Sequence, residues 1–313
     1  MEKHPFASKY FLQHKFMSIS SLNPATTVAC TTSLTTGKYP IETGYLGWTL
    51  YSNEYKGTFE PFRNRMAVSR TELPAHYMEK VCPVTHLDTL LKNVGVNAEF
   101  IQKYPIREDG PKSLRSALKK THEFYKNGGE FLYFYWPDPD HCLHCHGTKS
   151  ILVGFVLWKL KKFLEKFRKE NPDVLCLTVA DHGLIDIENV LDIADHPDLA
   201  STLAKPLSIE GRTPTFYVKD GQNNKFESLF KKYYGTHFDL LTKEEVYSSH
   251  YFGLGTPNPK TYEFIGDYLG VSKDASILNN SLDYAGHPMK NTKKANHAGN
   301  SEIEMTICLS LYD

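Results

Sequence analysis

The sequence predicts an α/β fold built on a mostly parallel β-sheet, and three observations support this prediction. Two short apolar runs, at residues 131–136 and 174–180, are typical of strands buried on both faces of a parallel sheet. A long helical pattern at residues 149–170 separates them, and each run is followed by aspartates and histidines. Strand, helix and strand in this order form a right-handed crossover unit with both loops at the same sheet edge. At 313 residues, we expect a single domain, residues 1–313, with a partly inserted cap or substrate region at residues 184–290.

The composition indicates neither a charged partner nor a membrane. Lysine plus arginine equals aspartate plus glutamate, at 36 residues each, so no overall field attracts the protein to nucleic acid or anionic lipid. The longest apolar run, Ile151–Trp158, is far too short to span a bilayer. Residues 1–14 do not resemble a secretory signal, and the 6 cysteines are scattered, as is typical of a reducing compartment. These features predict a soluble cytoplasmic protein.

At the N-terminus, a predicted helix at residues 2–14 precedes a predicted strand at residues 16–22. An α/β sheet normally begins with a strand, so the chain enters partway through a βαβ unit. The next predicted helix ends at Gly37, and Thr26 and Thr27 lie at its first turn, where unpaired N–H groups and the helix dipole favour an anion. Helix capping is the commoner role of a threonine there. A catalytic role requires a metal that makes the hydroxyl nucleophilic.

The segment that follows the run at residues 131–136 is dense in potential metal ligands. Residues 137–147 read Pro-Asp-Pro-Asp-His-Cys-Leu-His-Cys-His-Gly, and three interpretations compete. The spacing of Cys142–His146 fits the attachment of a c-type haem, although such attachment normally accompanies export. A structural zinc site would need a second pair of ligands, which the sequence lacks. We favour the third interpretation, in which Asp140 and His144 reach over the strand end as ligands in a catalytic site.

The helix at residues 149–170 is expected to be amphipathic. Its periodic apolar positions are residues 152, 155, 156, 160, 163, 164 and 167, and lysines and arginines fill the other face. Membrane-surface binding is one interpretation, but packing on the sheet with a solvated basic face is favoured. The strand after it ends in Asp181, His182 and Gly183. A carboxylate beside an imidazole suits a divalent metal, and the glycine allows a sharp turn of the backbone.

The remaining elements are predicted from shorter patterns. Residues 41–72 are expected to be an irregular lining near the site. Helices are expected at residues 86–93, 114–125, 225–234, 243–251 and 261–269, and strands at residues 213–219 and 306–312. Arg212 could contact an anionic substrate, but a surface role is favoured. His297, beside a turn of small residues, is a third candidate ligand position.

Four motifs follow one another along the chain. They are Pro-Ala-Thr-Thr followed nine residues later by Thr36-Gly37; Asp140 with His144 and Gly147; Asp181-His182-Gly183; and His297-Ala-Gly299 with Glu302 and Glu304. Each motif is weak alone, but four in this order make a specific signal that spans residues 15–305. In these residues the chain resembles the alkaline phosphatase superfamily, in its type I phosphodiesterase/nucleotide pyrophosphatase branch.

The resemblance implies a doubly wound α/β core with helices on both faces of the sheet and a site for two divalent metal ions, usually zinc. Thr27 matches the nucleophile, and its neighbour Thr26 is the less favoured candidate. The matching metal ligands are Asp140, His144 and His297 at one ion and Asp181, His182 and the Thr27 oxygen at the other. The implied reaction is hydrolysis of a phosphoric ester through a phospho-threonine intermediate.

This chain departs from the family pattern at its start. The family's first strand ends in an Asp-Gly pair that supplies a further carboxylate to the metal at Asp181 and His182, and the sequence here begins after that point. We therefore expect one weakened or empty metal site, poor activity and low stability. The alternative functions are a non-catalytic binding protein of the same fold and a phosphomutase. The expected partner is a small phosphorylated or nucleotide substrate, without a nucleic acid duplex or a membrane.

Overall fold

The computed structural model of the chain describes residues 4–103, 109–281 and 293–312. The start of the predicted N-terminal helix and the end of the predicted cap, residues 282–290, lie outside these ranges. The described residues form a mixed α/β fold in which helices and strands are interspersed along the chain. Within the same ranges, no helix is both long enough and apolar enough to cross a membrane.

The helices and strands vary widely in length. The helices are α1 (Pro5–Gln13), α2 (Thr27–Thr36), α3 (Pro40–Thr43), α4 (Tyr77–Val81), α5 (Leu87–Asn93), α6 (Leu114–Lys126), α7 (Asp140–His146), α8 (Ile151–Glu170), α9 (Pro197–Ala200), α10 (Asn223–Tyr234), α11 (Lys243–Ser248), α12 (Thr261–Phe264) and α13 (Glu302–Met305). The strands are β1 (Lys15–Ser20), β2 (Leu50–Ser52), β3 (Gly57–Glu60), β4 (Arg65–Met66), β5 (Ala98–Gln102), β6 (Phe131–Tyr135), β7 (Cys176–Val179), β8 (Ile185–Asp186), β9 (Asn189–Asp192), β10 (Ser208–Ile209), β11 (Pro214–Phe216), β12 (Phe238–Thr242), β13 (Tyr268–Ser272), β14 (Ser276–Asn279), β15 (Ala295–Asn296) and β16 (Thr306–Tyr312).

The strands pair mainly in antiparallel fashion, which differs from the predicted parallel sheet. One sheet has the order β1-β16-β7, and β16 is antiparallel to both neighbours. In the described ranges, parallel pairing is confined to β5 with β6 and β9 with β14. In the sheet β1-β16-β7 the reason is the direction of β16, which starts near the ends of β1 and β7: the Ser21 N–H donates to the Met305 carbonyl at 2.6 Å. Because β16 starts near the point where β1 and β7 end, it is antiparallel to both of them.

The carboxyl ends of β1, β6 and β7 nevertheless meet at one place, as the sequence predicts for the strands that carry candidate site residues. Ser21, just after β1, donates its hydroxyl to the Asp181 carbonyl at 2.5 Å, and Asp181 follows β7. Tyr135, at the end of β6, hydrogen-bonds the side chain of Thr27. The helix α2 starts at Thr27, so three strand ends and one helix start frame the same position.

Among the described residues, three apolar clusters make up the core. The first packs α6, β6 and β7 around the inner face of α8 and includes Val153 and Leu157. The second joins α2 to the segment between α3 and β3 and to the helices α11 and α12. The third packs α10 on the sheet with the order β10-β11-β13-β12, and its residues lie between Ile193 and Leu278. The predicted cap region therefore contributes an apolar cluster of its own.

In its first half, the helix α8 buries different positions from those predicted. Val153 and Leu157 are buried, whereas Leu152 and Phe155 are exposed. In its second half, residues 163, 164 and 167 are buried as the periodicity predicts. The buried positions 153, 157, 164 and 167 are spaced by three, four or seven residues, so they form one continuous face of the helix. The helix α1 also packs against α8, with the His4 ring beside Gly154.

Three other segments differ from the sequence prediction. Residues 41–72, expected to be irregular, contain the antiparallel sheet β2-β3-β4. The ligand-rich segment after β6 forms the short helix α7 instead of a loop. The helix expected at residues 261–269 ends at Phe264, because Gly266 lies against the Phe216 backbone and the residues after it pair with β11 and β12. These pairings join segments that are distant in the sequence.

Candidate active site

Thr27 is the first residue of α2 and is buried. Its Oγ1 lies 3.1 Å from Nε2 of His182, which follows β7. The preceding residue, Thr26, has extended backbone but does not cap the helix; its hydroxyl donates instead to the Glu210 carboxylate. Of the two threonines that the sequence left as candidates, Thr27 is therefore the one whose hydroxyl faces the ligand residues.

The first group of candidate ligands consists of Asp140, His144 and His297, which we call the Asp140 cluster. Asp140 and His144 lie one turn apart on α7, and their Oδ1 and Nε2 atoms are 3.3 Å apart. His297 Nε2 lies 4.0 Å from the same Oδ1. One ligand atom from each of the three residues lies within 4.8 Å of the others. The structure thus brings together residues that are about 150 positions apart in the sequence.

Hydrogen bonds at the far side of each ring fix the histidines of the Asp140 cluster. His144 Nδ1 donates to the Ala295 carbonyl at 2.7 Å, and His297 Nδ1 donates to the Ala25 carbonyl at 3.0 Å. Because a carbonyl can only accept, Nδ1 carries the proton and Nε2 presents a lone pair. Burial lowers the pKa of His144 to about 3 and that of His297 well below its ordinary value, so both rings are neutral.

The Asp140 carboxylate places a third hydrogen-bond acceptor opposite the Nε2 lone pairs of His144 and His297. Its Oδ1 is buried and has no hydrogen-bond partner among the described residues, and burial raises the pKa of the carboxyl to about 6. Three electron-rich atoms that face one another without a proton between them repel, unless a cation lies among them. A carboxylate with two neutral imidazoles is a donor set that zinc and similar divalent ions prefer. The residues of the Asp140 cluster therefore fit a bound divalent metal.

The second group, Thr27, Asp181 and His182, is called the Thr27 cluster. His182 Nδ1 donates to the Gly183 carbonyl at 3.1 Å, so its Nε2 accepts from the Thr27 hydroxyl. Asp181 Oδ2 lies 3.5 Å from the same Nε2. The His182 ring stacks on the His297 ring with 4.0 Å between centroids, so the two clusters adjoin. The side chains offer a hydroxyl, a carboxylate and an imidazole, a smaller set of strong ligands than in the Asp140 cluster.

The cysteines of the ligand-rich segment lie outside both clusters. Cys145 is exposed, and its Sγ lies 3.9 Å from His141 Nε2 on the outer side of α7. Among the described residues, the Asp140 cluster is the one place where three or more histidine, cysteine, aspartate or glutamate side chains converge. Of the three interpretations of residues 137–147, this geometry favours Asp140 and His144 as members of a catalytic site.

A fully buried ion pair, which the sequence did not predict, supports both clusters. Arg212 and Glu304 are both 0% exposed and pair through two hydrogen bonds of 2.8 Å. Glu304 also accepts the Gly299 N–H through its side chain and the Gly183 N–H through its carbonyl, each at 2.8 Å. The expected surface role of Arg212 is therefore wrong, because the guanidinium is enclosed and its charge is matched by Glu304.

The same contacts explain the glycines of two motifs. A Cβ at Gly183 would overlap the Ile303 carbonyl, and a Cβ at Gly299 would overlap the Arg212 guanidinium. Gly183 does not have a positive φ, so its role is close approach and not the sharp turn expected from the sequence. In the second motif the positive φ, 77°, belongs to Ala298. Both motif glycines therefore mark points where site loops press against their support.

Two further residues at the site were missed by the sequence analysis. Glu210 accepts from the Thr26 hydroxyl and from the Trp48 N–H, the latter at 3.0 Å, and burial raises its pKa. Burial also raises the pKa of Tyr135, so its hydroxyl stays protonated where it meets Thr27. No motif marks either residue: Tyr135 belongs to an apolar strand, and Glu210 lies in a segment without a recognisable pattern.

Comparison with known proteins identifies one matching family model and several solved structures with a similar fold. The sequence model for type I phosphodiesterase/nucleotide pyrophosphatase matches residues 14–300. No curated protein matches the chain. Murine ectonucleotide pyrophosphatase/phosphodiesterase 5 has a similar structure, with a TM-score of 0.71 at 15% identity over 98% of this chain and 83% of that one. The human form gives 0.69 at 14% identity over 97% and 81%.

Two further solved structures carry ligands. An inactive threonine-to-alanine variant of the murine protein, in complex with AMP, has a TM-score of 0.70 at 15% identity over 98% of this chain and 83% of that one. Phosphonoacetate hydrolase from Sinorhizobium meliloti, in complex with phosphonoformate, has a TM-score of 0.71 at 14% identity over 99% and 84%. At these identities the likeness concerns the fold.

Proposed function

Because the chain belongs to the type I phosphodiesterase/nucleotide pyrophosphatase family of phosphoester hydrolases, we propose that it cleaves phosphodiesters or nucleotide pyrophosphates with Thr27 as nucleophile. In this proposal the Asp140 cluster holds one divalent metal ion, and the Thr27 cluster holds a second. Zinc is the proposed metal, since imidazole and carboxylate ligands suit it. The proposed substrate is a small molecule that carries a phosphoryl or nucleotide group.

One observation carries the proposal: the Thr27 hydroxyl is at the start of a helix and 3.1 Å from a histidine Nε2 that has no proton of its own. The start of a helix stabilises negative charge through its free N–H groups and its dipole. A nucleophilic oxygen at that position can attack phosphorus while these groups hold the transferring phosphoryl oxygens. A threonine that only capped the helix would turn its hydroxyl back to the backbone.

The reaction would proceed in two displacements at phosphorus. In the first, Thr27 Oγ1 forms a bond to phosphorus while the bond to the leaving oxygen breaks, which gives phospho-threonine. In the second, water attacks the same phosphorus and releases Thr27. Bound divalent ions supply Lewis acidity that lowers the pKa of the attacking hydroxyl or water and stabilises the leaving oxygen. His182 and Tyr135 orient the threonine side chain between the two steps.

Two relatives support the choice of ligand and nucleophile. The murine protein binds AMP in a variant that lost a threonine and is inactive, and the Sinorhizobium enzyme binds phosphonoformate. We infer a pocket for a phosphoryl group here as well, with the cap region at residues 184–290 as the substrate region. Glu210 and Arg212, both from that region, contact or support the site residues.

The proposal is tested by assaying the purified chain, loaded with zinc, on bis(p-nitrophenyl) phosphate, the p-nitrophenyl ester of thymidine 5′-monophosphate, and p-nitrophenyl phosphate. We expect the diesters to turn over faster than the monoester, and a chelator to abolish the activity. The matched control is Thr31→Ala, which removes a buried hydroxyl from the same helix that donates only to the Thr27 carbonyl. If wild type and Thr27→Ala release p-nitrophenol equally, the proposal is wrong.

A non-catalytic binding role is the second candidate, favoured by the small donor set of the Thr27 cluster. With one carboxylate and one imidazole, this cluster has fewer strong ligands than its neighbour. Metal analysis separates the two functions. About two ions per chain with turnover supports the enzyme, whereas one ion without turnover, but with retained nucleotide binding, supports the binding protein.

A further inference from the structure

The outer face of α8 carries large apolar side chains that no motif explains. Ile151 is 86% exposed, Phe155 52% and Trp158 46%. Their spacing of four and three residues places them on one side of the helix. The Phe155 and Trp158 rings stack at 5.7 Å with an angle of 13° between their planes. Such a contiguous exposed patch is typical of an interaction site.

Folding does not account for this patch, because the opposite face of α8 already packs in the core. Val153, Leu157 and Phe163 are buried there, in the cluster that includes α6 and β6. The apolar side chains at 151, 155 and 158 therefore add little to the stability of the chain. Phe155 contacts Trp158 and Lys159 of the same helix, but these contacts leave all three apolar side chains at least 46% exposed, which favours a partner outside the chain.

The charge around the patch indicates the chemistry of that partner. Residues 149–170 contain seven lysines and arginines and two glutamates, whereas the whole chain has 36 basic and 36 acidic residues. On the same side of the helix as the apolar patch, three exposed lysines follow at steps of three and four residues: Lys162, Lys166 and Lys169. We call these three residues the lysine stripe. Lys159 Nζ lies 4.5 Å from the centre of the Phe155 ring. Glu165 and Glu170 neutralise only part of this charge.

We propose that the outer face of α8 binds an anionic lipid surface. A helix that lies in a membrane interface inserts aromatic and aliphatic side chains among the acyl chains and keeps its lysines at the headgroups. Tryptophan suits this position because it combines an apolar ring with a polar N–H. A membrane that contains anionic lipids has a negative surface, which attracts the lysines on this side of the helix. This face of α8 is thus more than the solvated basic surface that the sequence predicts, and the proposal does not depend on the phosphodiesterase function.

The experiment is sedimentation of the full chain with vesicles of phosphatidylcholine alone or mixed with phosphatidylserine. We expect the mixed vesicles to bind at least about 10-fold more tightly than the neutral ones, and the difference to shrink as salt is added. Trp158 fluorescence should be quenched by brominated lipid, and the quenching should be lost in Trp158→Phe, which leaves Trp48 and Trp136 in place.

Two variants separate the apolar and the charged parts. Phe155→Ser with Trp158→Ser, and separately Lys162→Glu with Lys166→Glu, should each weaken binding to mixed vesicles by about 10-fold or more. The control is Val94→Ser with Leu254→Ser, which removes exposed apolar side chains elsewhere and should bind as wild type does. Thermal unfolding of each variant checks that the fold is retained, and all substituted side chains are exposed.

Three results would overturn the proposal. The first is the absence of wild-type binding to either kind of vesicle. The second is equal binding by wild type and by both double variants. The third is self-association of the wild type, measured by light scattering, that Phe155→Ser with Trp158→Ser abolishes while vesicle binding is absent; that result assigns the face to a second copy of the chain.

Discussion

The Asp140 cluster and the Thr27 cluster adjoin through two stacked histidines but are built differently. In the Asp140 cluster, each histidine is fixed by a carbonyl from a distant segment, Ala295 or Ala25. In the Thr27 cluster, His182 is fixed by the carbonyl of the next residue and faces a hydroxyl. The first cluster presents three acceptors to one point, whereas the second pairs an acceptor with a donor. We infer that the first is organised around a cation and the second around the threonine oxygen.

The largest expected effect concerns the oxygen of the Thr27 cluster. Thr27→Ala should lower kcat/KM on a phosphodiester by at least about 10⁴-fold, because loss of a nucleophile removes the covalent route. Thr27→Ser should keep a larger part of the activity, since it keeps the hydroxyl. Steady-state kinetics with the zinc-loaded chain measures both. A variant of the Asp140 cluster with a greater loss than Thr27→Ala would contradict this division of roles.

The next largest effect concerns the ion pair that supports both clusters. Arg212→Met should lower the free energy of unfolding by about 3–5 kcal/mol, because it leaves the Glu304 carboxylate buried without its partner. Replacing both residues by methionine should recover part of the loss. Urea denaturation in the presence of chelator measures the change.

The control for this prediction is Arg63→Met, which breaks a pair with Glu60 in which the arginine is 50% exposed. Its cost should be about 0–1 kcal/mol. Equal losses for the two arginine variants would show that burial does not set the strength of the Arg212–Glu304 pair.

The metal content should distinguish the two clusters directly. His297→Ala should lower the affinity of the tighter metal by more than about 100-fold, because even loss of a residue that only orients a ligand costs roughly 10–100-fold. His182→Ala should affect only the weaker metal. Competition with a chromophoric chelator measures both affinities, and His237→Ala, a partly exposed histidine paired with Asp274, serves as control. If His297→Ala and His182→Ala both lost the same ion, the two clusters would form a single metal site and the prediction would be wrong.

The smallest expected effect is on the pH dependence of stability in the metal-free chain. The pKa of His144 falls from 6.5 to about 3 on folding, so the unfolded chain binds the proton first and stability falls as pH decreases from 6.5 toward 3. The pKa of Asp140 rises from 3.8 to about 6, so its contribution has the opposite sign: it is present below 3.8 and is lost as pH rises through 6. Between pH 4 and 6 the two contributions oppose each other.

Asp140→Asn removes one of these opposing contributions. Acid should then destabilise the variant more steeply than the wild type, by on the order of 1 kcal/mol per pH unit. Urea midpoints at several pH values, with chelator present, measure the slope. Asp138→Asn is the control, because Asp138 lies two residues away and is paired with Lys103 outside the cluster. Parallel slopes in wild type and Asp140→Asn would contradict the assigned pKa of Asp140.

The sequence predicted most of the helices and strands that carry a clear period, among them α2, α6, β6 and β16. The resemblance to the family also favoured Thr27 over Thr26, because Thr27 lies nine residues before Thr36 of the Thr-Gly pair. It failed at β2–β4 and at the end of α12, where strand pairing with distant segments overrides the local pattern. The mostly parallel sheet was predicted from two apolar runs with a helix between them. The prediction is wrong for the sheet β1-β16-β7, because composition does not encode the direction in which β16 runs.

The sequence by itself determined the family and the order in which six candidate ligand residues follow strand ends and a helix start. Only the tertiary structure decided that Arg212 is enclosed by Glu304, that Glu210 and Tyr135 contact the threonines, and that the patch on α8 is exposed. The physical reason is that motifs and periods depend on neighbours along the chain. Burial and the pairing of charges depend on segments that meet only after the chain has folded.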